Sequence, residues 1–460
     1  MCFNGGIFSS IMAHIGTSGS NHMRYDRVDV VQDHERFFPN NTDRTKKEIS
    51  EYVHPSNSKF SDKFTSEMLE HRNKLLDILL QKVKNQEKSM LSEDITVYTG
   101  ISGLAMLYLK VAKEGDGYSY LKGKALKYLQ IAISNRKYKT RLFSRPTFLC
   151  GLAGALTLNA LAGENLDQAN TESYETTARE SVDMLLRILP SATSNDKDLP
   201  NELLYGRAGY LYSLLLLKKN CSNSESEKIS NESIKTLALA IINNGVDYAK
   251  NTKRKVPMWW EWHGKEYIGA AHGICGILYI LLAAKAYISE EIINNYIKPT
   301  LDYFASLQYP SGNFPSSISG TVPPTNDKLL HWCHGAPGAI HLLLKAHEIW
   351  PNNVDCYFTR AQHCAESIWT RGLLKKGYGL CHGVAGNTYA FVAMWKVTND
   401  PKYLYKAALF AEWCFEYGKR NCPVPDRPLS LFEGLAGTIY LLTDLIQDPT
   451  LACFPAYCDI

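Results

Sequence analysis

The stretch "GICGILYILL", residues 273–282, opens with two glycines three positions apart and runs straight into apolar residues. A helix that is apolar on every side has no face for water and must be buried all round. The same order of residue types returns six more times. It stands at Gly100-Gly103 ("GISGLAMLYL"), Gly151-Gly154 ("GLAGALTLNAL"), Gly206-Gly209 ("GRAGYLYSLLLL"), Gly335-Gly338 ("GAPGAIHLLL"), Gly383-Gly386 ("GVAGNTYAFV") and Gly434-Gly437 ("GLAGTIYLL"). Successive first glycines lie 51, 55, 67, 62, 48 and 51 residues apart. A turn that enters a tightly packed helix calls for positive φ or for close backbone approach, and glycine supplies both. Glycine as ordinary helix punctuation does not account for seven regular occurrences.

Between the turns lie stretches of a different kind, such as "DKFTSEMLEHRNKLLDILLQKVK" (62–84) and "YLYKAALFAEWCFEYG" (403–418). Their apolar residues recur near i, i+3, i+4 and i+7 with charges between, the pattern of a helix with one wet face. Strand signals are sparse. One unit therefore reads as an outer amphipathic helix, a glycine turn and an inner apolar helix. No such unit covers its own apolar face, so neighbours must stack. The last unit is as apolar as the others and offers no polar cap, which favours closure. The expected fold is all-α, a seven-fold α/α toroid with the inner helices forming a central barrel. It is expected over residues 33–460 as a single domain, after a disordered extension at 1–32 and with a polar surface loop at 221–233 ("CSNSESEKISNES").

Bulk composition narrows the function classes. With 45% hydrophobic and 21% charged residues, the 460-residue chain is ordinary for a soluble globular protein. A formal charge of +4 gives no argument for nucleic acid, and no Arg/Lys-rich helix with interleaved aromatics is expected to supply one. No apolar run approaches bilayer length. The N-terminus lacks a basic segment followed by a clean apolar core, and position 2 is not Gly, so neither a secretory signal nor the myristoylation pattern is read. Twelve cysteines are spread without a dense framework, some inside apolar helical stretches (Cys150, Cys275), which reads as reduced thiols in the cytoplasm.

In a closed ring all seven turns share one end of the barrel, so the residues just before each turn converge on one mouth. There the repeats stop being equivalent: Cys333-His334, Cys381-His382 and Ala271-His272 precede three consecutive turns. Two cysteines at equivalent positions of adjacent repeats face each other across a short gap. With an added imidazole they make a Cys₂His site with one open position, the arrangement of catalytic rather than structural zinc. The plainer reading is of small polar residues filling turn positions; equivalence within the repeat argues against it.

The motifs "FLCGLAG", "NELLYGRAGYLY", "EYIGAAHGICG", "HWCHGAPG", "LLKKGYGLCHGVAGN" and "SLFEGLAGTIY" resemble those of the eukaryotic LanC-like proteins, relatives of the bacterial lanthionine cyclases. The resemblance runs from "ERFFPN" (35–40) to the C-terminus, and the family's seven-fold α/α toroid agrees with the repeat count. It implies zinc held by Cys333, Cys381 and His382; the preference for His382 over His334 comes from the resemblance alone. It implies a reaction in which glutathione adds its thiol to dehydroalanine or dehydrobutyrine residues of proteins or peptides, with glutathione S-transferase activity alongside. Zinc and glutathione are thus the implied cofactor and co-substrate.

The resemblance also assigns roles. His272 matches an acid/base histidine. Glu202 stands where bacterial cyclases place a functional aspartate; it can steer His272 or simply favour a helix N-terminus. Lys376 matches a glutathione-contacting lysine, with Lys375 beside it as an alternative, and Arg36 matches an N-terminal arginine brought into the site. One departure stands out: in "CPVPDRP" Pro423 occupies the position of a glutathione-binding arginine, while Asp426 is retained for the ligand's amino group and Arg420 or Arg427 is left to replace the cation. Two functions from different classes follow: the enzyme, favoured by His272 beside a three-ligand site, and a zinc- and glutathione-binding signalling adaptor, favoured by the lost arginine. A glycan-processing α/α barrel needs paired carboxylates at adjacent turns, and none are present. Oligomeric state and peripheral membrane association are left open.

Overall fold

The computed structural model describes residues 36–40, 48–54, 59–163, 171–221, 223–319, 326–352 and 357–460. The expectation of disorder over 1–32, and the start of the domain at 33, fall outside them. Fourteen long helices alternate between two layers. The outer ones are α1 (Asp62–Glu93), α3 (Tyr120–Ser134), α5 (Thr171–Leu186), α7 (Asn231–Asn251), α9 (Lys298–Ser306), α11 (Tyr357–Arg371) and α13 (Pro401–Cys414). The inner ones are α2 (Ile101–Ala112), α4 (Leu152–Gly163), α6 (Arg207–Asn220), α8 (Ile274–Ala283), α10 (Ala336–Ile349), α12 (Val384–Thr398) and α14 (Leu435–Gln447). Each inner helix touches the next, and α14 touches α2, so the ring is closed. A Lys110–Asp444 ion pair ties α2 to α14 at the closure.

The composition of the two layers explains their places. Every residue of α8 from Ile274 to Leu282 is buried, as its all-apolar surface requires. Outer helices such as α1 and α7 begin with serine caps, Ser61 accepting from Phe64 N–H at 3.2 Å and Ser230 from Ser233 N–H at 3.0 Å. Inner helices begin instead at a glycine, which offers no side chain. Their first N–H groups are taken by main-chain carbonyls seven residues back: Ile101 by Asp94, Arg207 by Pro200, Cys275 by Ile268, Val384 by Gly377 and Leu435 by Pro428. The turn thus folds onto its own backbone.

Close approach, rather than positive φ, is what the glycines supply. Among the seven first glycines only Gly335 has positive φ (120°). A Cβ on Gly386 would lie 1.9 Å from the Leu380 carbonyl oxygen, and one on Gly103 2.2 Å from that of Val97 and 2.9 Å from Leu431 Cβ of the neighbouring repeat. The same clash, with the carbonyl three residues before the first glycine, recurs at all seven turns.

Three expectations are corrected. The unit is permuted: α2 packs chiefly on α3, α4 on α5, α10 on α11 and α12 on α13, while α14 is backed by α1 from the other end of the chain. The stretch 221–233 is not all loop, since Asn223–Lys228 is helical and α7 starts at Asn231. Cys150 lies in the turn before α4, not inside a helix. Among the described residues the only strands are β1 (Glu266–Tyr267) and β2 (Ser317–Ile318), paired antiparallel. The barrel's interior is filled by the C-terminal segment: Phe454 and Tyr457 are fully buried, with Phe454 stacked on Trp332 at 4.7 Å and Tyr457 against Tyr279 at 4.3 Å.

Candidate metal centre

The two residues before each first glycine form the rim of the mouth: Tyr98-Thr99, Leu149-Cys150, Leu204-Tyr205, Ala271-His272, Cys333-His334, Cys381-His382 and Phe432-Glu433. Main-chain bonds hold the first members in register around the ring. Tyr98 N–H donates to Leu149 O (3.0 Å), Ala271 to Cys333 (3.5 Å), Cys333 to Cys381 (3.3 Å), Cys381 to Phe432 (2.8 Å) and Phe432 back to Tyr98 (3.1 Å). This register brings the two cysteines of adjacent repeats side by side.

Cys333, Cys381 and His382 offer ligand atoms that all lie within 4.8 Å of one another, the one such trio among the described residues. Tetrahedral zinc, with bonds of about 2.0–2.3 Å, would space its ligand atoms by roughly 3.5–3.8 Å, a separation within the reach of the trio. Two soft sulfurs and an imidazole are also zinc's preferred donors. The residues present fit the metal. Burial, and after it the Cys333 sulfur, push the Cys381 thiol well above its ordinary range. Burial works against the His382 imidazolium, yet the Cys381 sulfur it bonds to, with Glu433 beyond, carries its pKa above the usual value. A cation among these donors reverses the first effect, since a coordinated thiol is deprotonated outright.

His272 stands in the next repeat. Its Nδ1 lies 2.7 Å from Glu202 Oε2. Glu202 is 2% exposed and also accepts from the backbone N–H groups of Leu204 (3.0 Å) and Tyr205 (2.5 Å). The carboxylate therefore caps its turn and steers the histidine at once. The loop leading to Glu202 is held by fully buried Arg207, whose guanidinium donates to the carbonyls of Ala192, Ser194, Asp196 and Leu199. His334 sits between His272 and the trio, its ring 6.3 Å from that of His272. Burial, and then the neighbouring histidines, lower its pKa to about 4.

On one flank of the trio a cavity of about 290 Å³ is lined by Arg36, Lys328, Arg371, Lys375, Lys376 and Pro423. Arg36 arrives there because Phe37 pairs with Leu374, with Phe38 N–H donating to Leu373 O at 2.7 Å and Lys375 N–H to Arg36 O at 3.0 Å. Arg36 and Lys376 thus share one cavity, while both lysines of the pair line it. Asp426 does not; it lines a second cavity of about 390 Å³ on the other flank. Neither arginine proposed to replace the family's cation reaches the first cavity. Arg420 lies over Trp413 at 4.9 Å, and Arg427 pairs with Glu93 at 3.1 Å. Lys328 and Arg371 stand there instead, Arg371 paired with Asp327 at 2.9 Å.

Sequence reasoning missed two neighbours of the trio and of His272. The Tyr98 hydroxyl is hydrogen-bonded to the Cys381 sulfur, and burial, then the two cysteines, raise its pKa well above the ordinary value. Tyr98 was findable, because it holds in the first repeat the place Cys333 and Cys381 hold in theirs. Trp262 stacks on His272 with ring centroids 4.2 Å apart and planes 15° apart, and Tyr205 continues the stack. A tight hairpin delivers Trp262, with His263 (φ 50°) and Gly264 (φ 69°) at its tip. Nothing in the repeat points to it.

Comparison with known proteins agrees with this geometry. The family model described as lanthionine synthetase C-like protein matches residues 91–458. A Danio rerio protein named glutathione S-transferase LANCL1 is 41% identical over 387 residues, spanning 84% of this chain and 89% of its own. LanC-like protein GCL1 of Arabidopsis thaliana is 33% identical over 371 residues, or 79% and 81% of the two chains. Among solved structures nisin cyclase shares the fold, with a TM-score of 0.59 and 17% identity over 81% of this chain and 93% of that one.

Proposed function

This chain belongs to the lanthionine synthetase C-like family, and from that premise we propose that it is a zinc enzyme adding the thiol of glutathione to dehydroalanine or dehydrobutyrine residues of proteins or peptides. The observation that carries the reading is the trio Cys333, Cys381 and His382 within 4.8 Å of one another, beside a histidine already oriented by a buried carboxylate. The glutathione S-transferase name of the Danio rerio relative supports the choice of thiol.

Cys333, Cys381 and His382 would hold the metal, which when bound supplies a Lewis acid that lowers the pKa of an incoming thiol. The rest falls to the chain's own groups. Arg36, Lys376 and their cationic neighbours in the first cavity suit the two carboxylates of glutathione. Lys328 stands in for the arginine missing at Pro423, while the charge of Arg371 in the same cavity is balanced by Asp327. An ionised carboxylate only accepts, so the Glu202 contact keeps the hydrogen of His272 on Nδ1 and leaves Nε2 to exchange a proton. In the addition the thiol S–H bond breaks, sulfur bonds to the β-carbon, the π pair moves to the α-carbon, and one proton ends there. S–H has then added across C=C with no oxidant and no leaving group.

No described helix is long and apolar enough to cross a membrane. Cys275, Cys364 and Cys414 are buried free thiols. Both features suit a reducing, cytoplasmic setting for this chemistry. The test is to mix purified protein, glutathione and a dehydroalanine peptide, weigh the products by mass spectrometry, and measure zinc by elemental analysis. The expected result is one zinc per chain and a product heavier by one glutathione, both lost in Cys381→Ala. Full zinc loading without product would replace the enzyme by the glutathione-binding adaptor.

A further inference from the structure

One segment concentrates positive charge. Residues 135–145, "NRKYKTRLFSR", carry five basic side chains and no acidic one, in a chain whose net charge is only +4. The remainder of the protein is thus close to neutral. Arg136–Lys139 is a single helical turn, capped by Asn135, and Arg141 to Arg145 follow as loop. Leu142 is buried and pins the segment, while Arg136, Lys137, Lys139, Arg141 and Arg145 are all exposed. None of the five is in an ion pair among the described residues. Phe143, 49% exposed, stands among them.

The segment ends at the mouth. Arg141 and Arg145 line the second cavity together with Cys150, Tyr205 and Tyr98, the tyrosine bonded to Cys381. Arg145 lies over the Tyr205 ring at 5.5 Å, and with Trp262 it lines a further cavity of about 660 Å³. The cationic cavity of Arg36 and Lys376 lies on the other flank of the trio. Two approaches to one reaction centre are therefore present, one smaller and cationic, the other larger, aromatic-lined and basic at its edge.

We infer that the second approach is the docking site of the electrophile, and that its carrier is an acidic stretch of polypeptide lying along residues 136–145. The inference deepens the proposed function and rests on it. Acidic residues also face this approach: Asp94, Asp426 and Glu433 line the second cavity, and Asp198 and Glu261 the third. Asp94 is already engaged by Thr96 N–H (2.8 Å) and the Thr99 hydroxyl (2.6 Å). The selection accordingly acts on residues flanking the unsaturated one, which meet the basic edge, and not on the reacting side chain itself. Nucleic acid is the other polyanion. The strip favours a polypeptide because it is a single turn and a loop that lead into a catalytic mouth, a short footing for a phosphate backbone.

The test compares two peptides with one central dehydroalanine, flanked by aspartates or by lysines, reacting with glutathione in the presence of the full-length protein. Three exposed charge pairs are worth about tenfold in rate for the acidic peptide at low salt, a preference that falls as salt shortens the Debye length. In the variant Arg136→Ser/Lys137→Ser/Lys139→Ser the preference drops towards unity. Fluorescence anisotropy of the acidic peptide with alanine in place of dehydroalanine reads docking without chemistry and is expected to weaken by the same factor. Equal rates for the two peptides, or a preference that survives the triple substitution, overturns the inference and leaves the enzyme reading intact. No adduct with either peptide overturns the enzyme reading, and anisotropy then still decides whether the strip binds acidic peptide. Displacement by a single-stranded oligonucleotide but not by a glutamate-rich peptide assigns the strip to nucleic acid instead.

Discussion

At the mouth, Cys333, Cys381 and His382 place three donor atoms within 4.8 Å of one another. Inside the barrel Cys275, in the first turn of α8, faces the C-terminal tail that carries Cys453 and Cys458, with Tyr457 bringing its hydroxyl to 3.6 Å from the Cys275 sulfur. Burial raises the thiols of both groups: Cys381 and Cys458 well above the ordinary range, Cys275 and Cys453 to about 12. Depth is therefore not what distinguishes them. Position relative to the turn is. Cys381 stands two residues before its first glycine, where main-chain bonds align it with Cys333 of the next-door repeat. Cys275 stands two residues after its own, on the inner helix, facing aromatic rings that pack and do not ligate. On the proposed reading, four residues of register separate a thiol that would hold a metal from one that is a piece of core.

The sharpest way to break this comparison is to exchange the two thiols' fates. Changes around a metal's ligands cost about 10- to 100-fold in affinity, so removing a ligand in Cys381→Ala is expected to cost roughly a thousandfold or more. Cys275→Ala is expected to keep one zinc per chain and to lose about 1 kcal/mol of stability. Elemental analysis and thermal melts of the pair decide it; equal zinc loss in both would show that register is not the cause.

Next in size is the turn itself. Gly386→Ala puts a Cβ 1.9 Å from the carbonyl of Leu380, the residue before Cys381. A cost of about 3–5 kcal/mol is expected, together with weaker zinc retention. Gly123→Ala, exposed on α3 with nothing within 4 Å, is expected to stabilise by about 0.5–1 kcal/mol. Denaturant unfolding of the two variants compares a glycine that spaces backbones with one that only loosens a helix.

Glu202→Gln sharpens the comparison within the mouth by keeping the shape beside His272 and removing the charge. Turnover is expected to fall roughly a hundredfold, with zinc content unchanged and KM for glutathione little affected. An equal loss of zinc would make Glu202 part of the scaffold alone.

The smallest effect belongs to the tail end. His341 on α10 packs against Phe454 and Tyr457, with Lys396 of α12 near it, and burial, then Lys396, lowers its pKa to about 3. The unfolded chain then binds the extra proton below about pH 6.5, where the folded one does not. Stability is expected to be full above that pH and to decline as pH falls, by about 2 kcal/mol at pH 5. His341→Leu is expected to flatten that decline in chemical unfolding curves at pH 7 and pH 5, leaving the zinc site untouched.

The toroid was legible because its cause is local and repeated. At every turn the second glycine's Cβ would strike a carbonyl a fixed distance back in the same chain, so seven copies of one steric demand are written as seven copies of one motif. The trio was legible for the same reason, being the −2 and −1 positions of two adjacent copies, and Tyr98 and Glu433 lay open to the same rule. The permuted helix pairing was not legible, because which outer helix backs an inner one depends on how the ends of the chain meet. Nor was the arrival of Lys328, from a loop, and Arg371, from the end of α11, in the cavity that Pro423 lines.

The amino-acid order alone settles the number of units and the side chains that face the mouth, and favours a closed ring, since the motif that carries them recurs every few dozen residues. What stacks on His272, which cations share a cavity with Arg36, and that the C-terminal tail fills the barrel were decided only in three dimensions. Those contacts join segments tens to hundreds of positions apart, brought together by ring closure, and no local pattern carries their imprint.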